Sequence, residues 1–278
     1  MQKKISLVIP SWFEKNQNGK YGKEETFLIA SECLFRLLKV INKDDTEIII
    51  INNGSTLKDD DLLEHEIEDI GKYKYTITEY FQNANILIEN KINKGFACAV
   101  NQGINVATGE FVMQLNNDLL VWEGFLEQMI EDFKLAETFS PPAGLLMPAI
   151  VKDKISFFDI IKMDKSEIDM QTNAGKFAPK AEFGSCYIGR KEMFMKIAKN
   201  RDGYQVLDEN YKWGYGEDRW LYREIRMLGK ETWRTHNLRV FHVGGLSMSK
   251  IKKQEGVREA IDRNREYLAE QKKKFNID

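Results

Sequence analysis

The sequence predicts an α/β fold built on a mostly parallel sheet, from three observations. Apolar runs of strand length recur at 5–9, 47–51 and 111–115, without the alternation of a half-exposed strand. Apolar residues between and after them repeat at helical spacing. Each run also ends in turn-forming or polar residues, as when strands deliver side chains to one edge of a sheet. Strands alternating with helices through the first half imply right-handed crossovers.

Taken in order, Ile5 to Ile9 is a strand closed by Pro10. Residues 11–25 are polar, hold Gly19 and Gly22, and read as a loop. Phe27, Ala30, Leu34, Leu37 and Ile41 then give one face of a helix. Glu47 to Ile51 is a second strand ending in Asn52, Asn53, Gly54 and Ser55, and a charged helix is expected near 57–70. Residues 73–81 and 85–89 read as β-rich. Asn93, Lys94 and Gly95 lead into a helix whose apolar face is Phe96, Val100, Ile104 and Ala107. The strand at 111–115 follows the turn residues Thr108 and Gly109. Trp122, Phe125, Met129, Ile130 and Phe133 then mark an amphipathic helix.

The second half is less regular. Gly144 to Val151 reads as a strand and residues 152–180 as a loop or small hairpin over the site. Phe183 to Ile188 is a short strand, Lys191 to Lys199 a helix, Arg219 to Leu228 another, and Arg239 to Val243 a last strand. A terminal helix over 250–275 carries Val257, Ile261, Leu268 and Phe275 on one face, with pairs such as Glu259 and Arg263 supporting the other. Residues 1–248 therefore read as one domain and 249–278 as a helix packed on it.

Composition narrows the function classes. A chain of 278 residues accommodates one large α/β domain. Its 41 basic and 43 acidic residues are nearly balanced, so nothing marks the chain as a general polyanion binder. Cys33, Cys98 and Cys186 show no paired spacing, which suggests a reducing compartment. No signal-like apolar segment follows Met1 to Lys4, and no run approaches a membrane span. A cytoplasmic protein without stable membrane insertion is expected.

Three polar clusters carry candidate chemistry. Asn116, Asn117 and Asp118 end the strand at 111–115, either as oxygen ligands for a hard divalent cation or as a turn that caps the next helix. Glu217 and Asp218, behind Gly214 and Gly216, are either ordinary acidic residues in a first helical turn or a pair that supplies a general base. His242, before Gly244 and Gly245, is either a core histidine or a ligand.

Set in order, these clusters resemble a known motif set. Pro10, Asn52-Asn53-Gly54-Ser55, Asn93-Lys94-Gly95-Phe96 with Asn101, Leu115-Asn116-Asn117-Asp118, Phe183-Gly184-Ser185, Gly214-Tyr215-Gly216-Glu217-Asp218 and His242-Val243-Gly244-Gly245 together resemble the family 2 glycosyltransferases. The resemblance covers residues 4–248 and implies the GT-A fold, a single nucleotide-sugar-binding domain. It implies that Pro10 and the Asn52 turn border the nucleobase, and that Asn93 and Lys94 define the nucleotide pocket with Asn53, Asn116 and Asn117. Asp118 matches the last acid of the family's D-x-D motif and would hold Mn²⁺ or Mg²⁺ on the donor diphosphate. His242 matches a metal-contacting histidine found in part of the family. Glu217 and Asp218 match the acidic pair that supplies the base, with Asp218 favoured. Asn52 and Asn116 stand where the family often has Asp, so the metal would have one carboxylate here.

The resemblance therefore implies a metal-dependent, inverting hexosyl transfer from a nucleotide-diphosphate sugar, a UDP-sugar being favoured. The acceptor would be a saccharide or other hydroxyl-bearing molecule, ahead of a nucleic acid. Two other classes fit parts of the sequence. A nucleotidyltransferase would show a glycine-rich basic loop after the first strand, where this chain has Ser11, Trp12, Phe13 and Glu14. A non-catalytic carbohydrate-binding relative would release no nucleotide.

Overall fold

The computed structural model describes residues 4–15, 23–62, 65–67, 71–73, 75–152, 160, 175–181, 184–199, 201, 205–212, 216–244 and 257–275. Four parallel strands form its first half: β1 (Ile5–Ser11), β2 (Thr46–Asn53), β5 (Ile86–Asn90) and β6 (Phe111–Leu115), ordered β5-β2-β1-β6. Beyond β6 the sheet becomes mixed. There β10 (Cys186–Arg190) is antiparallel to both β6 and β8 (Ala143–Lys152), and β11 (Glu231–His242) is parallel to β8. Two short strands complete it on β11, β7 (Leu119–Leu120) and β9 (Phe177–Pro179), both antiparallel.

Strand alternation divides the core between two helical layers. Ile5, Leu7 and Ile9 point to one side, where they meet α1 (Lys23–Val40) through Phe27, Leu34 and Leu37, and α4 (Phe125–Ala136) through Met129 and Phe133. Val8, Ile49 and Ile51 point to the other side. There they meet α3 (Phe96–Val106), α5 (Lys191–Ala198) and α6 (Glu217–Met227) through Val100, Ile104, Phe194 and Leu221. Gly103 permits this on α3, because a Cβ there would lie 2.4 Å from Cγ1 of Val8. Burial on both faces explains why these strands read as continuous apolar runs.

Two expectations are overturned. The charged segment at 57–70 is not a helix where it is described: among its described residues it holds one 3₁₀ turn at Asp59–Asp61, and the small strand β3 (His65–Ile67) pairs antiparallel with β4 (Gly71–Tyr73). Asp59 accepts from the amide (3.1 Å) and hydroxyl (2.6 Å) of Thr78, which holds the turn against the next element instead of extending it. Nor does the β-rich reading of 73–81 survive past Tyr73, because α2 (Ile77–Gln82) follows. The hydroxyl of Thr76 accepts from the Glu79 amide at 3.1 Å and the Glu79 carboxylate accepts from the Thr76 amide at 3.3 Å. That capping box starts a helix despite the β-branched residues.

The last sheet strand is also longer than 239–243. Its register against β8 shifts between Arg234 and Arg239, and its polar, half-exposed residues there hide the strand from an apolar pattern. The terminal helix α7 (Val257–Phe275) meets the segment at 208–212: Tyr267 donates to Asp208 (2.8 Å), and Asn264 exchanges hydrogen bonds with the Lys212 amide (3.1 Å) and carbonyl (2.7 Å). No helix among the described residues is long and apolar enough to cross a membrane.

Candidate active site

Parallel pairing aligns the ends of β1 and β2, so Ser11 stands beside Asn52 and Asn52 beside Glu89. Pro10 lies one residue earlier, opposite Ile51. The Asn52 side chain accepts from the Ser55 amide at 3.0 Å and closes the turn after β2. Gly54 is required in that turn, since its φ is +80° and a Cβ would lie 2.3 Å from the Ile92 carbonyl carbon.

Asn53 and Asn93 are drawn into one buried network. Asn53 Nδ2 donates to Asn93 Oδ1 (2.9 Å) and the Gly95 carbonyl (3.2 Å). Its Oδ1 accepts from Asn90 Nδ2 (3.0 Å) and the Lys94 amide (3.1 Å). These bonds lash the loop before α3 to the end of β2 and leave the exposed Lys94 side chain at its rim. Asn101 performs a similar task one turn into α3. Its Oδ1 accepts from the amides of Val206 (3.0 Å) and Leu207 (2.8 Å), while Nδ2 donates to the Leu207 carbonyl (2.7 Å) and Glu209 (2.9 Å).

The turn after β6 is fixed from two sides. The Asn116 amide donates to the Ser185 carbonyl at 2.9 Å, and the Val243 amide donates to the Asp118 carbonyl at 3.1 Å. This second bond continues the antiparallel pairing in which His242 lies opposite Leu119. As a result, Nε2 of His242 stands 3.1 Å from Oδ1 of Asp118, with both side chains largely buried. Oδ1 of Asp118 makes no hydrogen bond among the described residues. A buried carboxylate oxygen that makes no hydrogen bond among the described residues, set beside an imidazole nitrogen, is a donor set that suits a divalent cation. No third His, Cys, Asp or Glu joins the pair among the described residues.

The carboxylate pair reaches the same edge through β10. Gly184 precedes that strand, and a Cβ there would lie 2.9 Å from Oδ2 of Asp218, so the Asp218 carboxylate rests on the bare backbone of Gly184. Ser185, the next residue, is the one that holds Asn116. Oδ1 of Asp218 accepts from the Arg219 amide at 2.7 Å. Glu217, by contrast, is 5% exposed, and its Oε2 makes no hydrogen bond among the described residues. Burial first, and then the neighbouring Asp218, push the Glu217 carboxyl up to about 8.

All the site residues expected from the sequence thus lie at one sheet edge, in two groups: Pro10, Asn52, Asn53, Asn93 and Lys94 around β1 and β2, and Asn116, Asn117, Asp118, Glu217, Asp218 and His242 around β6 and β10. Trp213, Gly214, Tyr215, Phe183, Gly245 and most of 152–180 lie outside the described residues. Sequence reasoning missed three neighbours. Tyr187 is buried under the acidic pair, its phenol pushed up by burial and then by Asp218 and Glu217. Ser11 and Tyr80 meet at 2.9 Å at the end of β1. The Thr76-x-x-Glu79 spacing was the available signal that Tyr80 lies on a helix.

A doubly covered α/β sheet with an Asp–His pair and a carboxylate pair on its C-terminal edge defines a domain of GT-A type. Its α/β architecture and C-terminal helix agree with the fold expected from the sequence. The model of glycosyl transferase family 2 matches residues 23–198, and the chain belongs to that family as a glycosyltransferase. The fold is also similar to crystal structures of S. aureus TarS 1–349, at 15% identity in each comparison. TM-scores are 0.51 for TarS 1–349 itself, 0.53 for its complex with UDP and 0.54 for its complex with UDP-GlcNAc. The matches cover 86%, 96% and 96% of this chain. This chain in turn spans 60%, 70% and 71% of those TarS chains. No curated protein matches the sequence.

Proposed function

We propose that this chain transfers a hexose from a UDP-sugar to an acceptor hydroxyl in one inverting displacement, with Mn²⁺ or Mg²⁺ on the donor diphosphate. The observation that carries this reading is the Asp118–His242 pair at 3.1 Å on the turn after β6, and it is supported by the seat of Asp218 on Gly184, next to the Ser185 that holds Asn116 of that turn. The donor preference is supported by the TarS complexes with UDP and UDP-GlcNAc.

Asp118 and His242 would hold the cation, which when bound neutralises charge as the diphosphate leaves. The Asn52 turn and the rim formed by Asn93 and Lys94 would receive the nucleoside, with Asn53 holding that rim in place. Asp218 would accept the acceptor's proton, and its seat on Gly184 keeps it pointed along one direction. Glu217, raised to about 8 by burial and then by Asp218, would stay protonated near neutral pH and so would not compete for the acceptor's proton. Residues 1–248 would form the catalytic domain, with 249–278 as the helix braced against 208–212. The reaction would occur in the cytoplasm.

Incubation with UDP-, GDP- and dTDP-sugars in the presence of Mn²⁺ tests this. Release of UDP that chelation abolishes is expected. No nucleotide release from any donor would identify a pure binder, and release independent of metal would remove the cation from the scheme.

A further inference from the structure

We propose that Tyr211 is a positioning residue for the Asp218 base: its ring, braced by the terminal helix, sets the turn from which the carboxylate pair starts. The assignment deepens the reading of Asp218 given above and rests on it. Gly216 immediately precedes α6 and has a φ of +123°, a backbone region that side chains rarely adopt. A Cβ there would lie 2.5 Å from Cε1 and 2.7 Å from Cδ1 of Tyr211, so the edge of the ring rests on the bare backbone. The Gly216 carbonyl accepts the first bond of α6, from the Trp220 amide at 2.9 Å. Any shift of Gly216 therefore carries Glu217 and Asp218 with it.

Tyr211 is itself held on several sides. It is buried, and its amide donates to the Asp208 carbonyl at 3.2 Å. Its ring meets Tyr267 of α7 edge-on, with centroids 5.1 Å apart and planes at 71°. The Tyr267 hydroxyl donates to the Asp208 carboxylate at 2.8 Å, and Asn264 holds the backbone of Lys212, the residue after Tyr211. Farther along α7, Phe275 meets Trp220 of α6 at 5.6 Å between centroids. The terminal helix thus reaches the Asp218 helix twice, once directly and once through Tyr211. Gly184 seats the Asp218 carboxylate from the β10 side, and Tyr211 fixes the same turn from the α7 side. The Tyr211 hydroxyl makes no hydrogen bond among the described residues, so the ring and not its polar tip makes this contact.

The test uses the full chain and follows UDP release from UDP-sugars with Mn²⁺, water serving as the acceptor whose proton Asp218 takes, alongside calorimetric UDP binding. Tyr211→Leu is expected to lower kcat about ten-fold while UDP affinity stays within about two-fold of the parent, because the reacting group and not the donor is displaced. Tyr211→Phe, which keeps the ring, should restore the rate. Tyr267→Ala removes the brace from the helix side, should lower kcat in the same direction, and serves if Tyr211→Leu does not fold. In an Asp218→Asn background Tyr211→Leu should add nothing, since it acts through Asp218. An unchanged kcat in Tyr211→Leu or in Tyr267→Ala, a Tyr211→Phe variant as slow as Tyr211→Leu, or an undiminished loss in the Asp218→Asn background overturns the Tyr211 assignment alone. Unchanged turnover in Asp218→Asn itself, or a wild-type chain that releases no UDP from any UDP-sugar, overturns the reading of Asp218 and this assignment together.

Discussion

Oδ1 of Asp118 and Nε2 of His242 face one another at 3.1 Å across the antiparallel pairing of β7 with β11. The Asp118 oxygen makes no hydrogen bond among the described residues, and under the proposed function it would face the cation. Asp118→Asn is therefore expected to lower UDP release from a UDP-sugar by about 10²-fold or more at fixed Mn²⁺. Titration of Mn²⁺ against nucleotide release measures it, and a variant with the wild-type metal dependence would remove Asp118 as a ligand.

Asp218 and the metal pair should separate in their effects. Asp218→Asn keeps shape and removes the base, so transfer should fall by roughly 10²- to 10⁴-fold while UDP affinity stays near that of the parent. Single-turnover transfer alongside calorimetric UDP binding distinguishes the two, and unchanged turnover would end the base assignment.

Gly184→Ala tests the seat of that carboxylate. The new Cβ would meet Oδ2 of Asp218 at 2.9 Å and displace it. A drop in kcat of about ten-fold or more is expected without loss of UDP binding, since misplacing a reacting group costs rate steeply. Steady-state kinetics against a binding isotherm decide it.

Glu217 gives stability a pH dependence of defined sign. Its carboxyl is raised to about 8 in the folded chain by burial and by Asp218. Between the ordinary carboxylate range and that value, the folded chain keeps a proton that the unfolded chain has released, so this group lowers stability as pH rises through the window. Glu217→Gln cannot ionise and should be less sensitive to alkali, by up to about 1.4 kcal/mol per pH unit within that window. Thermal unfolding of both proteins from about pH 5 to about pH 9 reads the difference. Parallel curves would show that Glu217 is ionised in the folded state.

Asn101→Ala should destabilise without touching the reaction centre. It leaves the buried amide of Leu207 and the carbonyl of the same residue without their partner. A loss of about 1–3 kcal/mol is expected from an unsatisfied buried donor, measured by denaturant unfolding.

Periodicity and turn chemistry alone located most of the sheet. Continuous apolar runs marked β1, β2 and β6 because both faces of each are buried, and the Asn- and Asp-rich endings marked the edge where the candidate site lies. Local polar bonds escaped that reading. The Thr76–Glu79 box made a helix of a β-branched stretch, the Asp59–Thr78 bonds ended a charged one, and the exposed middle of β11 concealed its length. Each of those outcomes was decided by a hydrogen bond or a pairing register, which apolar spacing does not record.

The identities and order of Asp118, Asp218 and His242 were in the sequence, and with them the family. Whether an acid at the end of β6 meets a histidine at the end of β11, and whether the glycine before β10 leaves room for a carboxylate from α6, depended on strand order. That order, β6-β10-β8-β11 with β7 folded back onto β11, comes from contacts between segments distant in the chain. The same is true of Tyr80, whose hydroxyl reaches Ser11 only because α2 packs its aromatic face against the core beside the end of β1.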